Sequence, residues 1–202
     1  MKSILHLNSS IFGASGQSSR LAKAFIDELP AAKVVTRDLA AQPLPHLDAE
    51  RFGAFLSKPE GRTPAQQQVL NESDALVAEL KQADTIVLGL PMYNFGVPSQ
   101  LKAWFDHVAR AGVTFKYTDK GAVGLLTGKK AYVFAARGGL YQGTPRDTQT
   151  AYVRDFLAFL GITDVQFVYA EGLAISEASK TASLAAAQRS LRSLAQPERI
   201  AA

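Results

Sequence analysis

The segment of this chain with the clearest potential for ligand chemistry covers residues 90–99 and reads Leu-Pro-Met-Tyr-Asn-Phe-Gly-Val-Pro-Ser. It follows an apolar run over residues 85–90 and precedes a helical pattern that begins near Leu101. These neighbours predict a loop at the carboxyl end of a buried strand, where open α/β sheets bind their ligands. The ring, the amide side chain and the backbone of such a loop suit a flat heteroaromatic ligand with a polar edge, such as a flavin. Taken alone, the segment is also compatible with a hydrophobic connection between a strand and a helix.

A second candidate loop covers residues 8–19 and reads Asn-Ser-Ser-Ile-Phe-Gly-Ala-Ser-Gly-Gln-Ser-Ser. It runs directly into a predicted helix, and the free N–H groups and partial positive charge of a helix N-terminus suit a phosphate. No Lys or Arg occurs between Lys2 and Arg20, so neutral donors, serine hydroxyls among them, would hold that phosphate. The alternative is a serine-rich cap on an ordinary helix.

The third candidate loop, residues 136–141, reads Ala-Arg-Gly-Gly-Leu-Tyr and follows another apolar run. The glycine pair Gly138 and Gly139 permits a close approach of backbone N–H groups to a ligand. A reduced flavin carries negative charge near N1 and the C2 carbonyl, and these amides together with Asn94 would favour its reduction. A tight turn without a ligand is the alternative.

The elements that must position these loops alternate between strands and helices. Apolar runs predict strands over residues 4–7, 33–36, 85–90, 130–136 and 165–170. Helical periodicity predicts helices over residues 18–29 and 64–81, from residue 101, over residues 152–160 and around residues 184–194. This alternation predicts an α/β fold: a flavodoxin-like, doubly wound sheet of five parallel strands in the order 2-1-3-4-5 with helices on both faces. The candidate loops follow strands 1, 3 and 4 and would meet at one rim, whereas residues 39–63 and 111–128 are interpreted as long loops.

Length and composition indicate an ordinary globular protein. The chain has 202 residues, which predicts a single domain over residues 1–202. Cysteine is absent, which excludes disulfides and thiolate chemistry. The N-terminal segment does not read as a signal peptide, and no apolar run approaches the ~20 residues of a membrane span. We therefore expect a cytoplasmic protein that does not associate with membranes.

Charge and motifs exclude several functions. The net charge is +4, but the basic residues are scattered, so no nucleic-acid partner is expected. The patterns of a P-loop NTPase, a dinucleotide-binding Rossmann domain, a zinc enzyme and an α/β-type serine hydrolase are missing. We expect no metal site, and we expect His6 to be a packed core residue. No catalytic side chain is required beyond a flavin, because the cofactor would carry the redox chemistry.

Taken together, these segments resemble the FMN-dependent NADH azoreductase family, of the NAD(P)H:quinone oxidoreductase type, from Met1 to about Leu194. The run from Pro91 to Phe95 is the most specific part of the resemblance. The segments that carry it are Ser9-Ser10, Gly16-Gln17-Ser18, Arg37-Asp38-Leu39-Ala40, Pro43-Leu44-Pro45, Pro91-Met92-Tyr93-Asn94-Phe95, Arg137-Gly138-Gly139 and Gly161-Ile162.

The resemblance implies a bound FMN and assigns residues to its two ends. The phosphate and ribityl end would lie at Ser10, Gly16, Gln17 and Ser18. The isoalloxazine would lie at Met92, Tyr93, Asn94, Phe95, Ala136, Arg137, Gly138 and Gly139. The aromatic residues Phe95, Tyr117 and Phe159 resemble those that line the substrate cleft of the family, although Phe159 is equally compatible with a core position. The family often has serine at the positions of Gly16 and Ala136, and both departures would remove a side-chain hydrogen bond while backbone contacts remain.

The resemblance also implies a homodimer with FMN at the subunit interface and a two-electron, ping-pong reaction. NADH or NADPH would reduce the flavin, and a quinone or an azo compound would then take the electrons in the same cleft. A flavodoxin-like electron carrier without its own small-molecule substrate is the alternative, although such a carrier would favour an acidic surface. A flavin-binding sensor or scaffold is a third alternative.

Overall fold

The computed structural model of the protein describes residues 2–200, and it describes their side chains through residue 196. The strands, in chain order, are β1 (Ser3–Asn8), β2 (Lys33–Asp38), β3 (Thr85–Pro91), β4 (Phe115–Thr118), β5 (Gly121–Gly124), β6 (Lys130–Ala136) and β7 (Asp164–Ala170). The α-helices are α1 (Gln17–Glu28), α2 (Ala49–Leu56), α3 (Pro64–Gln82), α4 (Ser99–Val108), α5 (Thr150–Phe159) and α6 (Glu177–Ile200).

Five of the strands form one parallel sheet in the order β2-β1-β3-β6-β7. Numbered among themselves, these strands have the order 2-1-3-4-5, and the predicted doubly wound arrangement is confirmed. Strand β3 lies at the centre, and all seven of its residues are buried. A strand that is paired on both sides and covered on both faces requires such a continuous apolar run.

Side chains alternate between two hydrophobic cores on opposite faces of the sheet. On one face, Leu88 of β3 belongs to a core that includes Trp104 of α4 and Leu157 of α5. On the other face, Val87 belongs to a core with Phe25 of α1 and with residues of α6. Because successive strand residues point to opposite faces, one apolar strand serves both cores. The predicted helices on both faces of the sheet are confirmed.

Two segments interpreted from the sequence as long loops contain regular structure. Helix α2 lies within residues 39–63 and begins after Asp48, whose carboxylate accepts a hydrogen bond from the backbone N–H of Arg51 at 2.8 Å. Strands β4 and β5 form an antiparallel hairpin within residues 111–128. The loop interpretation was wrong for these stretches, because an eight-residue helix and four-residue strands carry little periodicity of their own.

The β4–β5 hairpin is seated on the C-terminal end of α5 through two glycines. Gly161 has φ +99°, and a β-carbon added to Gly124 would lie 2.5 Å from the Cα of Gly161. The backbone N–H of Leu126 donates to the carbonyl of Leu160 at 2.9 Å beside this contact. Only glycine permits so close an approach of two backbones. This contact and the hydrogen bond beside it hold the hairpin in place.

The two longest helices are α3, which has a well-defined N-terminal cap, and α6, which packs an apolar face on the sheet. Helix α3 starts with a capping box: Gln66 N–H donates to Thr63 Oγ1 at 3.2 Å, and Thr63 N–H donates to Gln66 Oε1 at 3.0 Å. Helix α6 packs Ala187 and Leu191 against the sheet. No helix within residues 2–200 is long and apolar enough to span a lipid bilayer.

Candidate functional site

The loops that follow β1, β3 and β6 leave the sheet side by side at its carboxyl edge. Asn8 is in register with Gly89, and Pro91 is in register with Ala136. The backbone N–H of Met92 extends this pairing beyond the strand and donates to the carbonyl of Ala136 at 3.1 Å. The three loops therefore meet at one rim, as the sequence predicts.

A groove of about 200 Å³ at this rim brings residues of all three loops together. Nine of the twelve residues expected to contact the cofactor line it, namely Ser10, Gly16, Gln17, Ser18, Met92, Tyr93, Ala136, Arg137 and Gly138. The other three, Asn94, Phe95 and Gly139, are not among the lining residues. The groove thus joins the predicted phosphate end to the predicted ring end.

Sequence reasoning missed three residues that line the groove, Phe12, Pro91 and Leu173. Phe12 carries a signal of its own, since it is a 66% exposed aromatic residue in a hydroxyl-rich loop. Leu173 comes from the loop after β7, where its backbone N–H donates to the carbonyl of Arg137 at 3.2 Å. Nothing in the local sequence connects this loop to the site, because only the pairing of the two backbones brings it there.

At one end of the groove, the N-terminus of α1 is suited to an anion. The helix begins at Gln17, and no side chain caps it. Ser18 is 1% exposed, yet its hydroxyl has no hydrogen-bond partner among the described residues. An unpaired buried hydroxyl is costly, and the free N–H groups of the first turn attract negative charge. A phosphate would satisfy both, so these residues fit the phosphate end of an FMN.

Two glycines allow the first loop and α1 to lie so close to the sheet. A β-carbon on Gly89 would lie 3.3 Å from the backbone of Ser18, and the hydroxyl of Ser9 donates to the Gly89 carbonyl at 2.7 Å. A β-carbon on Gly16 would lie 2.8 Å from the Cβ of Ser10. The glycine at position 16 therefore makes room for Ser10.

The loop after β3 forms a tight turn with an uncommon backbone. Tyr93 and Gly96 exchange backbone hydrogen bonds at 3.3 and 2.9 Å. Between them, Asn94 has φ +49° and Phe95 has φ +64°, both in the left-handed region. This region costs most non-glycine residues roughly 1–2 kcal/mol. Asparagine adopts it more readily, so the surrounding structure must above all hold Phe95. Strain of this kind concentrates at ligand sites.

Arg137 lines the groove, but its side chain lies in a buried polar network. The guanidinium is fully buried and donates to Asp147 at 2.8 Å, to Glu171 at 3.0 Å and to Gln149 at 3.2 Å. Burial acts to raise the pKa of Asp147, but the hydrogen bonds from Arg137 and Thr150 outweigh it and lower that pKa below its ordinary value. Arg137 thus anchors the loop after β6, and its backbone rather than its guanidinium faces the groove.

The three aromatic residues expected at the substrate cleft lie in different surroundings. Phe95 is 50% exposed and lines a second, open cavity of about 450 Å³ together with Tyr152. Tyr117 is 75% exposed on β4. Phe159 packs against the core, with its ring centroid 4.2 Å from that of Phe115. This packing agrees with the core position that the sequence allowed for Phe159, and its substrate role stays a prediction.

The histidines are dispersed. His6 is 7% exposed in β1, and His107 is buried in α4, where its Nδ1 lies 2.8 Å from the carbonyl of Ala103. Among the residues that the structure describes, no group of three or more His, Asp or Glu side chains is placed to hold a metal ion. The groove offers hydroxyls, backbone groups and apolar walls instead, which suits an organic ligand.

Comparison with known proteins gives consistent results. A family model described as flavodoxin-like fold matches residues 2–195. Two relatives named FMN-dependent NADH:quinone oxidoreductase are each 54% identical to this chain. The protein from Cellvibrio japonicus aligns over 177 residues, 86% of this chain and 89% of the relative. The protein from Alcanivorax borkumensis aligns over 192 residues, 93% of this chain and 97% of the relative.

Among solved structures, an FMN-dependent NADH-azoreductase from Bacillus anthracis in complex with FMN superposes with a TM-score of 0.88. The two chains are 28% identical, and the superposition covers 98% of this chain and all of the other. An azoreductase structure named AzrA superposes with a TM-score of 0.87 at 28% identity, over 96% of this chain and 98% of the other.

Proposed function

This chain belongs to the flavodoxin-like family of FMN-dependent NADH:quinone oxidoreductases, and on that premise we propose that its groove is the FMN site of an enzyme that reduces quinones and azo compounds with NADH. The observation that carries the proposal is the convergence of three loops on one groove with an uncapped helix N-terminus at one end. FMN, when bound, supplies the two-electron chemistry by taking electrons from NADH and passing them to the acceptor in alternation. The relatives described above are named as oxidoreductases and azoreductases, not as electron carriers.

The phosphate and ribityl end of the cofactor is assigned to the first loop. The backbone N–H groups of Gln17 and Ser18 and the hydroxyls of Ser10 and Ser18 are the donors we propose for it. Gly16 keeps the loop close to the helix start, as its contact with Ser10 indicates. Neutral donors and the helix dipole would thus hold the anion without a lysine or arginine.

The isoalloxazine is assigned to the turn at residues 92–95 and to residues 136–139. Asn94 and the backbone N–H groups of Gly138 and Gly139 would donate to the pyrimidine edge of the ring, where charge accumulates on reduction. Donors held in place before the reaction stabilise that charge without further reorganisation. Because Ala136 has no polar side chain, only its backbone would contribute a hydrogen bond to the ring.

The substrates are assigned to the exposed aromatic residues beside the ring. A nicotinamide and a flat quinone or azo compound present similar planar surfaces, so one cleft would accept each in turn. We assign Phe95, Tyr117 and Phe159 to that cleft. Positioning of donor and acceptor against the cofactor is the main catalytic device in such a site. We propose no general acid among the side chains of this chain.

We further propose a homodimer with the flavin at the interface, a single domain over residues 1–202 and a cytoplasmic location. Phe95 and Tyr117 are 50% and 75% exposed, and a second copy would remove these rings from water. The two hydrophobic cores share one sheet, which supports a single domain. The cytoplasm is where NADH is available as a donor.

The purified protein tests this function directly. We expect a yellow preparation whose released chromophore has the mass of FMN, and steady NADH-dependent reduction of menadione with ping-pong kinetics. A preparation that stays colourless after incubation with excess FMN would contradict the cofactor assignment. A yellow protein that does not turn over menadione or an azo dye with NADH would contradict the enzymatic assignment.

A further inference from the structure

Two side chains directly before α5 hold the turn that follows β3. Gln149 is fully buried, and its amide nitrogen donates to the carbonyls of Pro91 and Gly96, both at 2.9 Å. The hydroxyl of Thr148 donates to the carbonyl of Phe95. The carbonyls of Pro91 at the end of β3 and of Phe95 and Gly96 in the loop are thus held by two consecutive side chains. These side chains lie more than 50 residues away in sequence.

The other end of the Gln149 amide is tied to the loop after β6. Its Oε1 accepts a hydrogen bond from Arg137 Nε at 3.2 Å. The carboxylates of Asp147 and Glu171 hold the guanidinium of Arg137 from other directions, at 2.8 and 3.0 Å. Because a guanidinium only donates and a backbone carbonyl only accepts, a single orientation of the amide satisfies all of its partners. Gln149 therefore links two of the three loops that form the groove.

We propose that Gln149 is a positioning residue for the flavin site, which sets the left-handed turn of Asn94 and Phe95 relative to the backbone of Arg137–Gly139. The inference rests on the proposed function, because those two loops are assigned there to the isoalloxazine. Gln149 itself is not among the residues that line the groove. It acts through the backbone carbonyls that it holds.

The physical reason is the strain in the turn. Two consecutive non-glycine residues in the left-handed region return to ordinary backbone angles when nothing holds them. Without the two donors of Gln149, the turn occupies its binding conformation for only a fraction of the time. The apparent dissociation constant for FMN then rises by the inverse of that fraction. We expect a rise of about tenfold, which corresponds to about 1.4 kcal/mol.

Two isosteric variants separate the contributions of the amide. Gln149→Met keeps the size of the side chain and removes all three hydrogen bonds. Gln149→Glu keeps an acceptor for Arg137 and replaces the donors to Pro91 and Gly96 with a carboxylate oxygen. Titration of each apoprotein with FMN, followed by flavin fluorescence, should show both variants binding about tenfold more weakly than the wild type.

Ser73→Ala is the matched control. Ser73 is fully buried in α3, and its hydroxyl donates to the carbonyl of His107 at 2.6 Å and accepts from Arg110 at 2.7 Å. Its loss also breaks a buried polar network, but one that none of the groove residues joins. The control should lower the melting temperature of the apoprotein and leave the FMN dissociation constant unchanged.

A Gln149→Glu apoprotein that binds FMN as tightly as the wild type overturns the proposal, because a merely structural role would lower the melting temperature without changing the affinity of the folded protein. If Gln149→Met and Gln149→Glu do not fold, Gln149→Asn carries the test, since it keeps the amide but is one methylene too short to reach the carbonyls of Pro91 and Gly96 together with Arg137. Weaker FMN binding by that variant supports the proposal, and unchanged binding overturns it. A wild type that binds no FMN contradicts the proposed function instead.

Discussion

The phenolic oxygen of Tyr93 lies 3.3 Å from the hydroxyl oxygen of Ser10, and this contact joins the loop after β3 to the loop after β1. The same phenolic oxygen accepts a hydrogen bond from the backbone N–H of Ile11 at 3.2 Å. Ser10 and Tyr93 are 83 positions apart in the sequence. Their contact fixes the spacing between the end of the groove assigned to the phosphate and the end assigned to the ring.

Removing this hydroxyl should loosen the cofactor. Tyr93→Phe loses the links to Ser10 and Ile11, and a typical hydrogen bond contributes about 0.5–1.5 kcal/mol. We expect the FMN dissociation constant to rise about two- to tenfold in a fluorescence titration. Tyr132→Phe, in which the altered ring packs on Phe25 in the core at a centroid distance of 4.5 Å, should leave it unchanged. Equal affinities for Tyr93→Phe and the wild type would remove the contact from the site.

Ser18 gives a test in which the affinity for FMN should fall without a loss of stability. Its buried hydroxyl has no partner within the described residues, so Ser18→Ala should leave the melting temperature of the apoprotein unchanged or raise it. A hydrogen bond to a charged group contributes about 1.5–3 kcal/mol, so FMN binding should weaken by about ten- to a hundredfold.

The matched variant is Ser19→Ala. The hydroxyl of Ser19 donates to Asn8 Oδ1 at 2.5 Å, so its removal should lower the melting temperature of the apoprotein. If Ser18→Ala destabilised the apoprotein as much as Ser19→Ala and bound FMN normally, the Ser18 hydroxyl would have a structural role and would not bind the cofactor.

Two substitutions of Asn94 distinguish its side chain from its backbone. Asn94→Gly removes the amide but adopts φ +49° without strain, whereas Asn94→Ala removes the amide and adds a steric cost of about 1 kcal/mol. Both should slow flavin reduction by NADH in stopped-flow measurements. Asn94→Ala should in addition bind FMN about fivefold more weakly than Asn94→Gly. Unchanged reduction rates in both variants would exclude the amide from the site.

His6 should make the stability of the apoprotein depend on pH below neutrality. Burial lowers its pKa below the ordinary value of 6.5, Asp38 opposes this shift and Lys23 adds to it. As the pH falls below about 6.5, the unfolded chain therefore binds a proton that the folded protein does not, and the free energy of unfolding decreases. The slope reaches at most about 1.4 kcal/mol per pH unit.

Urea unfolding at pH 7.5, 6.5 and 5.5 measures this slope. His6→Asn should show a smaller loss of stability between pH 6.5 and 5.5 than the wild type. His46→Asn, which removes an exposed imidazole, should retain the contribution of His6. Parallel stability curves for the wild type and His6→Asn would contradict the assignment.

The contact between the β4–β5 hairpin and the end of α5 predicts that one substitution affects both the stability of the protein and the KM for its substrate. A β-carbon on Gly124 would clash with the backbone of Gly161, and overpacking of this kind costs about 1–3 kcal/mol. Gly124→Ala should lower the melting temperature and, by displacing Tyr117, raise the KM for menadione. Gly53→Ala, which places its β-carbon in open space on α2, should leave the KM unchanged. A stable Gly124→Ala enzyme with a normal KM would separate the hairpin from the substrate cleft.

Much of the fold was predictable because the sheet is built from strong local patterns. Apolar runs such as residues 85–90 leave little choice but a buried strand, and their alternation with helices implies parallel pairing. The loops after β1, β3 and β6 then had to share an edge, since parallel strands present their carboxyl ends together. The short helix α2 carried a signal in Asp48, a suitable N-cap, but the prolines around it obscured that signal.

The sequence by itself determined which loops form the site, because strands, helices and loops are specified by residues that are close together in the chain. Only the tertiary structure decided where side chains point and which distant ones meet. It turned the guanidinium of Arg137 away from the groove, brought Leu173 into it and placed Gln149 between two loops. Such contacts join residues tens of positions apart, and they form because buried polar groups must find partners wherever the packed chain places them.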